Sequence, residues 1–427
     1  MTQTIRTSVA GPSGSRRLFA ARDSSLAAHL ERFGPMPGDF DEGHLIAEVE
    51  GSGLAGRGGA GFPAWRKLMA ASTASAAIAS ATSSPAARRL AKAGGPVVIA
   101  NGAEGEPLSR KDETLLRAAP HLVLDGLLLA AATVRATEVF VYTTAASLPS
   151  VSKAIGERGD AAHVRLFQAP ETFLSGEATA VVNAIGGGAA IPRDHIARMT
   201  SHGPSVGGLR GRPTLVQNVE TLAHLALIAR FGATWFRSIG RDGETGTRLV
   251  SVSGDVPSPL VFETEAGAPL SDTLLAAGVV PDQLRAVLVG GYHGAWVPSG
   301  ELRRPLSRDS LAPFGAAPGA GILMALGTER CGLEASAEIA TYLAGQSAKQ
   351  CGPCANGLPR LADVLRRLAA REQTPWLPAE VERLALLVQG RGSCHHPDGT
   401  SRLVLSTLTV FAADVAQHLQ GRCEVHA

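Results

Sequence analysis

The run Val97-Val98-Ile99-Ala100-Asn101-Gly102-Ala103-Glu104-Gly105-Glu106-Pro107 decides how this chain is read. Its apolar, β-branched start predicts a strand buried on both faces, and the switch to Asn, Gly and Glu predicts a loop at the strand's carboxyl end. In parallel sheets flanked by helices that end opens onto the ligand crevice, so Asn101 and Glu104 are candidate binding residues. An acidic surface turn is the plain alternative. Further β-rich runs at 139–142 and 164–167 alternate with helical patterns at 121–131 and 151–158, the rhythm of an α/β fold with a parallel sheet. Residues 41–245 read as this domain, preceded by a solvated arm at 1–40 and interrupted by an Ala/Ser-rich loop at 71–95.

Beyond residue 245 the pattern changes. Short strands at 249–253, 260–265, 286–289 and 322–325 surround one short helix at 270–277, which suggests a small β-grasp-like unit over 246–327. From 328 to 427 strands vanish, and leucine stripes at Leu358, Leu361, Leu365 and Leu368 and at Val404, Leu408, Phe411, Val415 and Leu419 predict a helical bundle.

The 427 residues are 45% hydrophobic and 18% charged with a formal net charge of +2, so the chain is globular and carries no electrostatic footprint for nucleic acid or an anionic bilayer. The longest apolar stretch, around Leu122 to Val134, is broken by Asp125 and is shorter than the ~20 residues of a membrane helix. Direct membrane insertion is therefore not expected. The thiols Cys331, Cys351, Cys354, Cys394 and Cys423 all lie in the last quarter, which suits a reducing, cytoplasmic setting better than a disulfide frame.

Two glycine-rich or capped segments add to the candidate site. Gly56-Arg57-Gly58-Gly59-Ala60-Gly61-Phe62-Pro63 contains a literal GxGxxG, but a helix rather than a strand is predicted before it, so the ordinary dinucleotide fingerprint fails. What remains is a backbone able to approach an anionic or planar ligand closely, with Arg57 and Lys67 available for phosphate; a bare turn is the alternative. Lysines are few, and Lys67 and Lys111 flank the two most motif-like segments. Ser175-Gly176-Glu177-Ala178-Thr179 and Gln217-Asn218-Val219-Glu220-Thr221 both precede helical patterns, and Asn218 sits where an N-cap would free backbone donors for a phosphate; simple capping is the alternative. Finally, Cys351-Gly352-Pro353-Cys354 with Cys394 forty residues on suits an iron–sulfur cluster or, with His395 or His396, a Cys3His zinc site; a predicted helical lead-in argues against a thioredoxin-type motif.

Taken in order, these segments resemble the FMN- and NADH-binding flavoprotein subunit of bacterial respiratory complex I and its relatives in NAD-linked hydrogenases and formate dehydrogenases, from about Ile46 to Phe411. The resemblance implies a Rossmann-like FMN domain, a ubiquitin-like β-grasp (SLBB) domain and a helical cluster domain. It implies that Gly56, Arg57, Gly58, Gly59, Gly61, Phe62, Lys67, Asn101, Glu104, Gly105, Glu106, Gly176, Glu177, Gln217, Asn218 and Thr221 bind cofactor. Glu104 and Glu177 become the expected contacts to the electron donor, and Cys351, Cys354 and Cys394 ligands of a [4Fe–4S] cluster whose fourth ligand is open. The implied function is electron transfer from NADH or NADPH through FMN and the cluster to a ferredoxin-like or other iron–sulfur partner subunit, peripheral to a membrane redox complex. Departures from the family pattern fall at Ala103 and Ala178, where carboxylates are usual, at Ala70, Thr200 and Gly203, where rings and a lysine are usual, and at Ala348, where the first cluster cysteine is usual. A relay that has lost pyridine-nucleotide binding and a zinc-structured binding protein are the other readings.

Overall fold

The computed structural model describes residues 16–37, 41–80, 94–193, 199–200 and 208–426. The chain starts with three helices, α1 (Leu26–Phe33), α2 (Glu42–Ser52) and α3 (Ala64–Ser80). Residues 71–80, expected to form a loop, instead continue α3: an Ala/Ser run without a turn residue does not oppose a helix once Leu68, Ala71 and Ala74 are buried. The remainder of that expected loop, 81–93, lies outside the described residues. The solvated arm is also corrected. Arg17, Leu18 and Phe19 are buried, and their amides donate to the Glu263 carboxylate while the Arg17 guanidinium donates to the Phe236 carbonyl and the Ser238 hydroxyl.

Strands β1 (Val97–Gly102), β2 (Glu138–Thr143), β3 (Arg165–Gln168) and β4 (Thr214–Asn218) form one sheet of order β3-β2-β1-β4, parallel throughout. Side chains alternate across it. Val98, Ala100, Val139, Val141 and Leu215 enter a core with α5 (Pro120–Thr133) and α8 (Val219–Arg237, broken at Gly232). Val97, Ile99, Phe140, Tyr142 and Val216 enter the opposite core with α7 (Ala178–Ile185). Helices α4 (Lys111–Ala118) and α6 (Leu148–Gly156) complete this α/β part. Among the described residues no single helix is long and apolar enough to cross a membrane; α4 and α5 pass only as a pair bent by 96°, and α5 is buried on nearly every side.

The second sheet holds β5 (Thr247–Gly254), β6 (Leu260–Glu265), β7 (Leu284–Val289), β8 (Ala295–Pro298) and β9 (Ile322–Gly327) in the order β6-β5-β9-β7-β8. Only β5 and β9 are parallel. On one face Val250, Val252, Val287, Val289, Leu323 and Ala325 pack with α9 (Leu270–Ala276). On the other, Ala286, Leu288, Met324, Leu326 and Trp296 pack with the C-terminal helices. Helix α10 (Arg308–Leu311) lies in the loop before β9. The C-terminal helices are α11 (Gly332–Gly345), α12 (Leu358–Ala369), α13 (Leu377–Val388), α14 (His396–Val410) and α15 (Ala412–His418). The apolar stripe from Val404 to Leu419 is carried by two helices, divided at Phe411.

Candidate functional site

A cavity of ≈ 800 Å³ opens beyond the carboxyl ends of β1 and β4. Main chain forms much of its wall: Gly58, Gly59 and Ala60 on one side, the 103–106 turn and Gly176 on another, and Gly290 and Gly294 from the second sheet. Gly59 has φ +112°, and a Cβ built there meets nothing within 4 Å. The glycine at this wall therefore leaves room that another residue would occupy. Gly105 serves differently, since its Cβ would stand 2.3 Å from the Phe173 carbonyl oxygen. Its bare backbone lets the 101–107 turn lock against the 172–176 turn.

The polar residues of these turns hold one another in place. Asn101 Nδ2 donates to the Gly176 carbonyl at 2.8 Å, and Asn101 Oδ1 accepts from the Ala103 amide at 3.2 Å. Glu104 accepts from the Ser109 hydroxyl at 2.5 Å and the Glu113 amide at 3.0 Å, tying the turn to α4. Glu106 accepts from the Tyr292 amide at 2.8 Å, which bridges the two sheets, and burial pushes its carboxyl up to about 7. Glu177 caps α7, accepting from the amides of Thr179 and Ala180 and from the Thr179 hydroxyl. Asn218 caps α8 through the Glu220 amide. Asn101, Glu104, Gly105, Glu106, Gly176, Glu177 and Asn218 all line the cavity.

Other expected contacts lie behind the wall. The Arg57 guanidinium, expected free for a phosphate, is buried and donates to the Thr245 and Thr247 carbonyls, both at 3.0 Å. Its amide donates to the Thr221 hydroxyl at 2.9 Å, so Thr221 and Arg57 together pin the glycine loop to α8. Gln217 is buried on β4, Gly56 closes a bridge in which its amide donates to the Phe62 carbonyl, and Phe62 itself is exposed. Gly61 packs beside the Arg308 guanidinium. Lys67, on α3, is half-buried, which lowers its ammonium pKa.

Beside the cavity lies a buried charge cluster that the sequence only hinted at through Lys111. Lys111 Nζ contacts Asp112 Oδ1 at 2.6 Å, Glu220 Oε2 at 2.9 Å and Asn218 Oδ1 at 3.3 Å. Burial opposes the Lys111 charge, but Asp112 and Glu220 win and raise its pKa. Glu220 is held well below the carboxylate range by Lys111 despite its burial, and Asp112 is pushed up to about 7 by burial. Lys111 and Asp112 reach the cavity wall.

The same cavity reaches the C-terminal helices, where Cys394, His395, His396 and Arg402 line it. Cys351 and Cys354 are mutual hydrogen-bonding neighbours, and Cys394 lies close enough to couple electrostatically to Cys351 and Glu177. Burial acts upward on Cys351, yet hydrogen bonds from Ser393 and Cys354 leave its thiol pKa lowered. Burial pushes Cys354 up to about 12 and also raises Cys394. His396 is occupied at both ring nitrogens, Nε2 with the Leu343 carbonyl at 2.8 Å and Nδ1 with His293 Nε2 at 3.0 Å. That leaves it unsuited to the zinc reading. His395 is exposed and pairs with Asp398 at 3.1 Å. Phe173 stands between the turns and these helices, edge-on to His293 at 4.7 Å and Tyr342 at 6.0 Å.

Residues 49–227 match the family described as the Nuo51 FMN-binding domain, and residues 334–418 match the NADH-ubiquinone oxidoreductase-F iron-sulfur binding region. The chain is 28% identical over 410 residues to the second F-type subunit of the NADH-quinone oxidoreductase of Rhizobium meliloti, covering 91% of this chain and 92% of that relative. It is 28% identical over 397 residues to the mitochondrial NADH dehydrogenase [ubiquinone] flavoprotein 1 of Dictyostelium discoideum, covering 88% and 79%. Among solved structures it superposes on NAD+-reducing [NiFe]-hydrogenase in the air-oxidized state with a TM-score of 0.78 at 27% identity, covering 95% of this chain and 66% of that chain. The H2-reduced state gives a TM-score of 0.76 at 26% identity, covering 90% of this chain and 64% of that one. The match thus spans just under two thirds of the hydrogenase chain.

Proposed function

The chain belongs to the family of F-type flavoprotein subunits of NADH-quinone oxidoreductase, and from that premise we propose that its glycine-walled cavity is where FMN and the electron donor meet, with the cluster cysteines at the cavity's edge. It is an FMN-binding subunit of NADH dehydrogenase type with an iron–sulfur binding region. The residues present suit both groups. Gly59 leaves open the space that a planar ring system needs, and Cys394 lines the same cavity with Cys351 and Cys354 near enough to interact with it. Bound FMN supplies exchange between two-electron and one-electron chemistry, and a [4Fe–4S] cluster takes single electrons.

The chain's own residues supply position and field. Gly58, Gly59 and Gly105 with Asn101, Glu106, Gly176 and Asn218 form the flavin wall, and Lys111 places a positive charge beside it. Arg57 and Thr221 hold that wall from behind, and Gly56, Gly61, Phe62, Lys67 and Gln217 flank it as further cofactor contacts. Glu104 and Glu177 stand where a donor nucleotide enters, and Cys351, Cys354 and Cys394 hold the cluster. The observation that carries this reading is that Cys394 and Gly59 line one cavity. The strand order of the second sheet supports a β-grasp (SLBB-like) unit at 246–327 between a Rossmann-like domain at 41–245 and a helical cluster domain at 328–427. We assign a ferredoxin-like iron–sulfur protein as the electron acceptor and a cytoplasmic place peripheral to a membrane redox complex.

The test is anaerobic purification, flavin and iron quantitation, and titration with NADH and NADPH in turn. One FMN per chain that one nucleotide bleaches supports the reading. A protein loaded with flavin and iron that neither nucleotide bleaches would make the chain a relay, and a colourless protein would remove the proposal.

A further inference from the structure

The remaining two cysteines do not belong to the cluster region. Cys331 stands at the start of α11 with the amides of Leu333 and Glu334 turned toward its sulfur, whereas Cys351 follows that helix's far end. A helix of 14 residues separates the two ends by roughly 20 Å. At the Cys331 end, helix α15 and the turn after it bring in His418 and Cys423. The three side chains are 3%, 0% and 4% exposed. Their ligand atoms all lie within 4.8 Å of one another, and Cys331 Sγ is 3.5 Å from His418 Nε2.

The histidine is oriented as a ligand would be. Its Nδ1 lies 3.1 Å from the Leu368 carbonyl, which can only accept, so Nδ1 carries the proton and Nε2 presents its lone pair to the sulfurs. A backbone carbonyl fixing the tautomer in this way is the usual outer support of a metal-bound imidazole.

We propose that Cys331, His418 and Cys423 form a separate Cys2His metal site that takes one zinc(II) ion, clamping the C-terminal turn to the start of α11. Two thiolates and one imidazole suit zinc, and three protein ligands with a water at the fourth position are an accepted zinc arrangement. On binding, two zinc–sulfur bonds and one zinc–nitrogen bond form, and the two thiol protons leave to solvent. The site does not depend on the flavin or the cluster.

The test is elemental analysis of the whole protein purified anaerobically without chelator. About one zinc per chain besides the iron is expected. The double variant Cys331→Ala, Cys423→Ala should lose that zinc while keeping FMN and iron, since alanine fits an apolar core. Independently, the chelator-stripped wild-type protein given cobalt(II) should develop thiolate-to-cobalt charge-transfer absorption and tetrahedral d–d bands. Absence of both zinc uptake and the cobalt spectrum in the reduced wild-type protein would overturn the proposal. So would zinc retained by a folded double variant, or an intact mass showing Cys331 and Cys423 joined as a disulfide.

Discussion

Two glycines at the cavity separate the demands of folding from those of binding. At Gly105 a methyl group would meet the Phe173 carbonyl oxygen at 2.3 Å, so Gly105→Ala forces apart two interlocked turns. We expect a loss of about 1–3 kcal/mol in denaturant unfolding, as for other overpacked positions. Gly59→Ala meets no neighbour, and only its φ of +112° is strained. The expected cost in stability is about 1 kcal/mol, with a much larger fall in FMN occupancy measured by flavin release. Glu106 gives a pH signature. Burial lifts its folded-state pKa to about 7 from an ordinary 4.5, so the folded protein keeps a proton that the unfolded chain has lost between those values. The stability this group contributes is full below the lower value and is lost as pH rises through about 7. Glu106→Gln should therefore leave the denaturation midpoint unchanged near about pH 4 and raise it near about pH 8.

At the scale of elements, the glycine loop is held from behind by Arg57. Replacing it with Ala removes the donors to the Thr245 and Thr247 carbonyls and a cation near Glu220 and Glu244. Breaking such a buried arrangement costs about 3–5 kcal/mol, and the loosened loop should shed FMN even where the fold survives; thermal melts with flavin quantitation measure both. The sequence placed Arg57 correctly in its motif but not its side chain, because composition around a glycine loop does not reveal which carbonyls of β5 lie behind it. Most strands were legible, since β1 and β2 are uniform apolar runs. Strand β4 was not: Gln217 and Asn218 read as a helix start, and only pairing with β1 shows the strand that precedes α8. The N-terminal segment failed similarly, because Arg17, Leu18 and Phe19 look solvated until Glu263, 245 residues from Leu18, supplies an acceptor for their amides. Long-range partners of this kind leave no periodic trace.

Over the whole molecule, the order of motifs was legible because each marks a strand end or helix start, and those ends converge on one cavity. The charge cluster of Lys111, Asp112 and Glu220 was not, since it joins α4 to α8 across more than a hundred residues. The shared cavity predicts that the two cofactors can be lost separately. Cys354→Ser should abolish iron and acid-labile sulfide while FMN content and its bleaching by the donor persist, and electron delivery to an external one-electron acceptor should fall sharply. The most direct measurement is an experimental structure of the anaerobically purified protein with FMN added. The isoalloxazine is expected in the space facing Gly59, with the Cys394 sulfur bound to iron at the cavity's other end. FMN seated elsewhere, or that space filled by side chains in the loaded protein, would contradict this placement.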